Sequence, residues 1–326
     1  MKIGVIGAGI AGLAAARLLA KAGHQIIVFE GAGEVGGRCA TRRVENYLFD
    51  TGATSIAPRG KSLDKVMLKE LDTSDLIKVQ KPIYTHNSLR VSVGDPGHMI
   101  VDRYTYKSGN SKLPQLLAEG LTVRSKDEIK GIEKHNGTYK IQGEVFEAVI
   151  VATPLPETTR ILESSGEQRP IGFVHYRACI SVLLGYDKEM PEVHYHAIVD
   201  PEQRHPLTWL CIESVKSPGR APEGQTAMVA QLSPQFSANH YEDEDGALVS
   251  CTVEYIERLY GTAWSAPKAF DVKRWRYSQP ENLALFDSVN TPSAKLVIAS
   301  DGLVGGRVEY AYEAGARAAK LLLGSA

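Results

Sequence analysis

The sequence of 326 residues is poor in cysteine, carries almost no net charge and has no long apolar run. Its four cysteines are far apart and form no CxxC pair, which predicts reduced thiols in a cytoplasmic protein rather than disulfides or zinc ligands. A net charge of −1 gives no electrostatic reason to expect nucleic acid or an anionic membrane as a partner. No segment offers eighteen uninterrupted apolar residues, so no transmembrane helix is expected.

The chain begins with a short apolar strand, three glycines in the spacing GxGxxG and a helical pattern over residues 11–22. In a dinucleotide-binding fold, Gly7 permits the tight turn, Gly9 lets a pyrophosphate approach the backbone, and Gly12 brings the helix close to the strand. The phosphates then meet free N–H groups at the positive end of the helix, near Ile10 and Ala11. We therefore predict a dinucleotide-binding domain at this end of the chain.

The following stretch distinguishes FAD from NAD. A second buried strand ends at Glu30, where a carboxylate would accept hydrogen bonds from the adenosine ribose. Gly37 and Arg38 then complete a "GGR" stretch, which suits a further pass along a long pyrophosphate with Arg38 as donor. This pattern resembles that of flavin-dependent amine oxidoreductases, in which the arginine lies beside the FAD diphosphate. The resemblance also implies that Gly52 and Ala53, within "DTGA", approach the flavin.

The middle of the chain carries an Asn136-Gly137 hairpin signal between two alternating segments and then a buried strand over residues 148–152. A β-meander that returns to a strand ending in "ATP" is similar to the FAD lobe of two-dinucleotide-type flavoproteins. That resemblance implies that the backbone of Ile129 contacts the adenine.

Residues 54–110 and 158–290 lack glycine fingerprints and contain alternating runs typical of antiparallel strands. We predict an α/β protein with a Rossmann-like FAD-binding lobe of the two-dinucleotide flavoprotein type and an antiparallel-sheet substrate lobe with helices. The predicted FAD-binding domain comprises residues 1–57, 111–157 and 291–326. The predicted substrate domain comprises residues 58–110 and 158–290. Within it, His194 and His196 are predicted to be surface histidines rather than metal ligands, because no third ligand is near in sequence.

The C-terminal stretch joins a strand over residues 296–299 to a helix beginning near Val308. We expect Asp301 to accept a hydrogen bond from a ribityl hydroxyl, and the backbone at Gly305-Gly306 to pass under the flavin ring. Gly306, Arg307 and Val308 are predicted to bind the cofactor. The helix N-terminus would then face the N1/O2 edge of the ring and stabilise the negative charge that develops there. No cysteine lies in 299–315 to attach the ring, so non-covalent FAD is predicted.

Several motifs occur along the chain in an order that resembles a bacterial renalase-type member of the flavin-containing amine oxidoreductase superfamily. They include "SPGR" at residues 217–220, "RWxYxxP" at 274–280 and "GRVExA" at 306–311. The family usually has Gly-Asp followed by an aromatic residue, whereas this chain has Ser300-Asp301-Gly302. Loss of the bulky residue is expected to enlarge the substrate pocket.

The resemblance implies an FAD-dependent oxidoreductase that takes a hydride from a small substrate, such as a dihydronicotinamide isomer, to flavin N5, with O2 reoxidising the flavin. The flavin does this chemistry itself, so no residue is assigned with certainty as catalytic. The candidate pocket residues are Trp275, Tyr277 and Tyr310.

Two alternatives to this function remain. Amine oxidation would use an aromatic cage, to which Tyr310 or Tyr312 could contribute. A sensor or assembly protein would bind FAD without turnover. The substrate, the physiological electron acceptor and the oligomeric state stay open.

Overall fold

The computed structural model describes residues 1–87, 90–94, 101–292 and 294–324, so the predicted segments 58–110 and 291–326 extend in part outside the described residues. The strands in this part of the chain are β1 (Lys2–Ile6), β2 (Gln25–Glu30), β3 (Thr41–Val44), β4 (Tyr47–Asp50), β5 (Leu76–Lys78), β6 (Ile83–His86), β7 (Val91–Ser92), β8 (Tyr104–Tyr106), β9 (Thr122–Ser125), β10 (Glu133–His135), β11 (Thr138–Ile141), β12 (Glu144–Phe146), β13 (Ala148–Val151), β14 (Tyr176–Tyr186), β15 (Ala197–Val199), β16 (Leu207–Ile212), β17 (Thr226–Leu232), β18 (Ala269–Pro280) and β19 (Leu296–Ile298). The α-helices are α1 (Ile10–Lys21), α2 (Lys61–Lys65), α3 (Lys112–Ala118), α4 (Leu155–Glu163), α5 (Glu213–Lys216), α6 (Pro234–Asn239), α7 (Asp245–Tyr260), α8 (Phe286–Val289) and α9 (Val308–Leu322).

The first sheet is parallel and has the order β19-β13-β1-β2-β9. Its central strands are apolar along almost their whole length, as expected for strands buried on both faces. Helix α1 connects β1 to β2 and packs against α9. A Cβ atom at Gly315 of α9 would overlap the carbonyl oxygen of Ala11, so the small residue permits this close helix contact. The predicted Rossmann-like arrangement is confirmed.

A three-stranded antiparallel meander, β10-β11-β12, precedes β13. Its first turn has positive φ at both central residues, 46° at Asn136 and 75° at Gly137. This is the backbone that an Asn-Gly pair favours in a two-residue hairpin, and the predicted hairpin is confirmed.

The second large sheet has the order β18-β14-β17-β16-β15-β6-β7 and is antiparallel except for the β15–β6 pair. One face packs on α7 through residues such as Leu248 and Ile256. The other face packs on Tyr47 and Phe49 of β4. Through this second face the larger sheet contacts β4. The segment that follows β4 lines a cavity between the two large sheets.

No helix in the described ranges combines the length and the apolar character needed to cross a bilayer.

Candidate active site

A cavity of about 1160 Å³ lies between the parallel sheet and the larger antiparallel sheet. Ala152 and Ala299, just beyond the carboxyl ends of β13 and β19, form part of one wall. Val199, Trp209 and Gln231, on β15, β16 and β17, form part of the other. The carboxyl edge of a parallel sheet is where open α/β folds bind ligands.

The structure brings nearly all predicted site residues to this cavity. Those that line it are Gly7, Gly9, Ile10, Ala11, Glu30, Gly37, Arg38, Gly52, Ala53, Ile129, Trp275, Tyr277, Asp301, Gly306, Arg307 and Val308. Gly12 does not line it. A Cβ atom at Gly12 would overlap the carbonyl oxygen of Gly7, so Gly12 serves the helix–strand contact instead.

Tyr310 and Tyr312 do not lie in the cavity wall. The ring of Tyr310 packs beside Gly305, and the guanidinium of Arg307 lies 5.8 Å from the ring centroid. Tyr312 is buried in the core around the parallel sheet. The expectation that Tyr310 belongs to the pocket is therefore not met in this structure, because its ring turns toward the loop before α9.

The start of α1 forms one end of the cavity. Gly7 has φ of 100°, a conformation that glycine adopts without strain, and Gly9 is the N-cap residue. No side chain caps this helix, and its first turn has no acidic residue. A Cβ atom at Gly9 would meet nothing within 4 Å, so the backbone is open to the cavity. An uncapped helix start of this kind binds anions, phosphates in particular.

Glu30 is held in place by two backbone N–H groups. Its Oε2 accepts a hydrogen bond from Ala8 and its Oε1 accepts one from Ala32, both at 2.8 Å. The carboxylate therefore has a fixed direction at the end of β2, and each oxygen keeps a lone pair for a further donor. Ile129 lines the same cavity.

Arg38 and Asp301 pair in the middle of the cavity wall. The Nη1 group of Arg38 donates to Asp301 Oδ2 at 2.6 Å and to the carbonyl oxygens of Tyr277 and Ser278 at 3.2 and 3.1 Å. Burial opposes the charge on Arg38, but Asp301 outweighs that effect and keeps the pKa of the guanidinium above its ordinary value. The hydroxyl of Tyr176 donates to Asp301 Oδ1 at 2.9 Å.

Sequence reasoning missed Tyr176 and Glu157. Tyr176 begins β14 and meets Asp301 across 125 residues of sequence. Burial, followed by the charge of Asp301, raises the pKa of its hydroxyl. Glu157 lies in α4 on the cavity wall, and burial raises the pKa of its carboxyl. Neither residue belongs to a local motif, so only the three-dimensional contact reveals them.

The replacement of the usual aromatic residue by Gly302 does not enlarge the cavity. A Cβ atom at Gly302 would lie 2.6 Å from Leu155 Cδ1 and 2.7 Å from the Tyr176 hydroxyl. Gly302 is itself buried and does not contribute to the cavity wall. The expected enlargement is therefore wrong, because Leu155 and Tyr176 occupy the space that the bulky side chain would have left.

The loop of residues 51–53 is fixed from the side of the larger sheet. Trp275 Nε1 and Ser181 Oγ both donate to the carbonyl oxygen of Thr51, at 2.9 and 2.7 Å. Gln231 Nε2 donates to the carbonyl oxygen of Gly52 at 2.7 Å. These bonds couple the position of the loop to strands β14, β17 and β18.

Of the two histidines predicted to lie at the surface, only His194 does so. His194 is exposed, but His196 is buried, and its Nδ1 lies 2.5 Å from the carbonyl oxygen of Lys81. Burial lowers the pKa of His196 to about 4. The surface prediction is wrong for His196 because the chain before β15 turns inward against the segment before β6. Among the described residues, no group of three or more His, Cys, Asp or Glu side chains could hold a metal ion.

The cavity fits FAD on three structural grounds. Its volume exceeds the range of about 300–1,000 Å³ that is usual for small-ligand sites. The open start of α1 and the fixed carboxylate of Glu30 suit a pyrophosphate and a ribose. The start of α9, which has no side-chain cap, lines another part of the wall through Val308.

Two family models match the chain. One, described as NAD(P)-binding Rossmann-like domain, matches residues 5–71. The other, described as flavin containing amine oxidoreductase, matches residues 86–323.

A candidate flavin-containing monoamine oxidase of Mycobacterium tuberculosis, AofH, is 54% identical over 54 residues, which is 17% of this chain and 12% of the relative. The match thus spans about an eighth of that relative's length.

Similar solved structures cover almost the whole chain. Cyclohexylamine oxidase of Brevibacterium oxydans has a TM-score of 0.76 at 13% identity and covers 98% of both chains. A candidate protoporphyrinogen oxidase of Exiguobacterium has a TM-score of 0.77 at 14% identity, again over 98% of both chains. At these identities the likeness concerns the fold alone.

Proposed function

The chain belongs to the flavin-containing amine oxidoreductase family, with FAD as cofactor, and on this premise we propose that it oxidises a small dihydronicotinamide-type substrate. Bound FAD supplies the hydride acceptor, with O2 as the final electron acceptor. The supporting observation is that one cavity extends from the start of α1, where a pyrophosphate fits, to the side chains of the larger sheet. Cofactor and substrate can therefore meet within it.

In this proposal the chain holds FAD without a covalent bond. The N–H groups at the start of α1 bind the pyrophosphate, Glu30 binds the adenosine ribose, and the backbone of Ile129 contacts the adenine. Arg38 has Nε and Nη2 free of partners within the described residues, so it retains donors for a phosphate while Nη1 holds Asp301. Asp301 accepts from a ribityl hydroxyl.

The side chains in the wall suit a substrate that transfers a hydride without help from a base. Within the described part of the chain, no histidine lines the cavity, and the one lysine that does, Lys130, adjoins Ile129. Cys39 lines it, but burial raises the pKa of its thiol, which donates to the carbonyl oxygen of Asn110 at 3.3 Å. Within the described residues, the strands of the larger sheet themselves bring no histidine, lysine or carboxylate to the cavity wall, as expected where the cofactor does the chemistry.

We propose the same two domains as the sequence predicts: an FAD-binding domain of residues 1–57, 111–157 and 291–326, and a substrate domain of 58–110 and 158–290. The composition of the two large sheets supports this division, since the strands of each sheet all come from the segments of one proposed domain.

We also propose a cytoplasmic location, which the four free cysteines support.

The test is anaerobic mixing of the FAD-loaded protein with 1,2-, 1,4- and 1,6-dihydronicotinamide compounds. We expect rapid loss of the yellow flavin absorbance with one of them and its return when air is admitted. If none of these compounds removed the flavin absorbance, this substrate class would be rejected. If amines also failed under the same conditions, the protein would be an FAD-binding protein without turnover of either substrate class.

Amine oxidation is the second candidate. The family match supports it, and so does the indole wall that Trp209 and Trp275 form on the substrate side, since aromatic faces attract cationic amines. Loss of flavin absorbance with primary amines, but not with dihydronicotinamides, would favour this candidate over the main proposal.

A further inference from the structure

Three arginines, Arg59, Arg103 and Arg307, line the cavity near the start of α9 and are here called the arginine cluster. Arg307 is the N-cap residue of α9. Arg59 is brought to the same helix start, because its backbone N–H donates to the Glu309 carboxylate at 3.0 Å. Arg103 directly precedes Tyr104, whose backbone pairs with Ile56. Three separate segments of the chain thus bring these cations to one place.

The arginine cluster differs from three of the four other described arginines that line the cavity, because those three have acidic partners. Arg38 pairs with Asp301, Arg274 with Asp245 at 2.6 Å, and Arg276 with Glu242 at 3.1 Å. Arg160 instead donates to the hydroxyl of Tyr277 at 3.3 Å. In the described ranges, no carboxylate forms an ion pair with Arg59, Arg103 or Arg307. The nearby acid, Glu309, directs its carboxylate to the backbone N–H groups of Arg59 and Gly60. Three cations therefore face one carboxylate that is already engaged.

The cations also act on one another. Arg103 is half-buried, and burial together with the charges of Arg59 and Arg307 lowers the pKa of its guanidinium. Arg59 and Arg307 are exposed, so solvent screens part of this repulsion, and a bound anion would remove the rest. The arrangement is therefore suited to an anionic ligand.

The backbone of Arg103 connects the arginine cluster to the larger sheet. Its carbonyl oxygen accepts a hydrogen bond from the N–H group of Val79 at 2.8 Å, in the segment that leads into β6. Arg103 also lies close to His196. Burial is the main cause of the lowered pKa of His196, and the charge of Arg103 lowers it further. Because His196 directly precedes β15, Arg103 belongs to the side of the larger sheet.

We infer that the arginine cluster binds a phosphate group of the substrate, so that the substrate is a phosphorylated nucleotide rather than a neutral riboside or an amine. A phosphate monoester carries close to two negative charges at neutral pH and offers three acceptor oxygens, which suits three guanidinium groups better than a single carboxylate does. This inference rests on the proposed function and specifies its substrate. It also separates this chain from an oxidase of cationic amines, which the three positive charges would repel.

The first experiment measures anion binding to the FAD-loaded protein by titration calorimetry with inorganic pyrophosphate as the probe. We expect saturable binding to the parent and binding at least about tenfold weaker to Arg103→Gln, the size expected for loss of a charged hydrogen bond. Arg258→Gln is the matched control, because it removes the same charge from the exposed surface of α7. Arg307→Gln, at an exposed position, is the second variant should Arg103→Gln fold poorly.

The second experiment compares dihydronicotinamide mononucleotide with its riboside, which lacks only the phosphate. We expect the parent to prefer the nucleotide by about 10- to 100-fold in kcat/KM, and Arg103→Gln to lose that preference while it oxidises the riboside normally. Arg258→Gln should keep the preference.

The outcomes separate this inference from the proposed function. Equal pyrophosphate binding by parent and both cluster variants, or no binding by the parent, would overturn the phosphate site. Equal oxidation of nucleotide and riboside by the parent would overturn it and leave the proposed function intact. Oxidation of neither compound would reject the proposed function, and pyrophosphate binding would then still decide the site. Loss of FAD from Arg103→Gln would assign the arginine to the cofactor and overturn the inference.

Discussion

Arg38 and Asp301 come from opposite ends of the chain, 263 residues apart, and share a bond of 2.6 Å in the cavity wall. The pair joins the loop after β2 to the segment after β19, and Tyr176 adds a bond from the larger sheet. Asp301 therefore connects three parts of the chain while it keeps lone pairs for a ligand. A substitution here should affect cofactor retention before it affects the fold.

We predict that Asp301→Asn weakens FAD binding by about tenfold or more, because a charged acceptor becomes a neutral one. The reduction potential of the bound flavin should change less. FAD dissociation constants and potentials measured on both proteins check this. Tyr176→Phe is the matched control, since it removes one bond to the same carboxylate and keeps its charge. Unaltered FAD affinity in Asp301→Asn would exclude Asp301 as a cofactor ligand.

Glu30 is the second residue whose role can be isolated. Glu30→Ala should weaken FAD binding by about 1–3 kcal/mol, as for the loss of a hydrogen-bonded charged group. The same change frees the backbone N–H groups of Ala8 and Ala32, which bond to different oxygens of Glu30. Glu30→Gln removes the charge but keeps one carbonyl oxygen that can accept from one of these groups, so it disturbs the loop less. Both affinities can be measured by titrating apoprotein with FAD and following the quenching of flavin fluorescence. If FAD bound equally well to all three proteins, Glu30 would not be the ribose ligand.

At the scale of elements, a buried ionic network supports the loop that follows β4. Lys216 of α5 donates to Asp50 at 2.8 Å, to Glu213 at 2.7 Å and to the carbonyl oxygen of Thr54 at 2.7 Å. Arg220 donates to the same oxygen of Asp50 at 2.8 Å. All four ionic side chains are fully buried. The "SPGR" motif, which ends at Arg220, thus positions the cavity loop without lining the cavity.

We predict that Asp50→Asn destabilises the protein by about 3–5 kcal/mol, because it leaves buried cations without their carboxylate. Burial raises the pKa of Asp50, but Lys216 and Arg220 outweigh it and hold the pKa at about 2, against an ordinary 3.8. The network therefore stabilises the fold above about pH 4, and this stabilisation is lost as the pH falls toward 2. Urea unfolding at pH 7 and pH 3 measures both effects.

The control for this prediction is Asp271→Asn, which breaks the partly exposed pair with Arg42 and should cost less than about 1 kcal/mol. Equal effects of the two substitutions would show that the buried network contributes no more than a surface pair.

The start of α9 gives a second prediction at this scale. Val308 is the first residue of the helix, a position that tolerates proline, so Val308→Pro should fold normally while it removes one N–H group from the cavity wall. If that N–H faces the flavin, its loss should lower the reduction potential by about 30–65 mV, corresponding to a charge-assisted bond of about 1.5–3 kcal/mol. Potentiometry on the FAD-loaded variant provides the measurement. Val308→Ala, which keeps the N–H, is the control, and an equal potential in all three proteins would remove α9 from the flavin site.

Over the whole molecule, the sequence predicts the parts of the site that depend on local backbone geometry and misses those that depend on packing between sheets. The glycine turn before α1, the Asn136-Gly137 hairpin and the start of α9 follow from patterns a few residues long. The placement of Tyr176, the burial of His196 and the filling of space at Gly302 depend on residues far away in sequence. The arginine cluster is of the same kind, because three distant segments supply it.

The placement of the cavity between the two large sheets leads to a last prediction, on stability. A ligand that binds only the native state stabilises it by an amount that grows with the logarithm of its concentration, about 4 kcal/mol at a thousandfold excess over Kd. FAD should therefore raise the unfolding temperature of the apoprotein steadily across a titration. ADP, which matches only the part of the cavity at α1 and Glu30, should bind more weakly and give a smaller rise at equal concentration. Scanning calorimetry with each ligand measures this. If ADP matched FAD throughout, the wall beyond Arg38 and Asp301 would contribute nothing to cofactor binding, and the cavity would serve a mononucleotide.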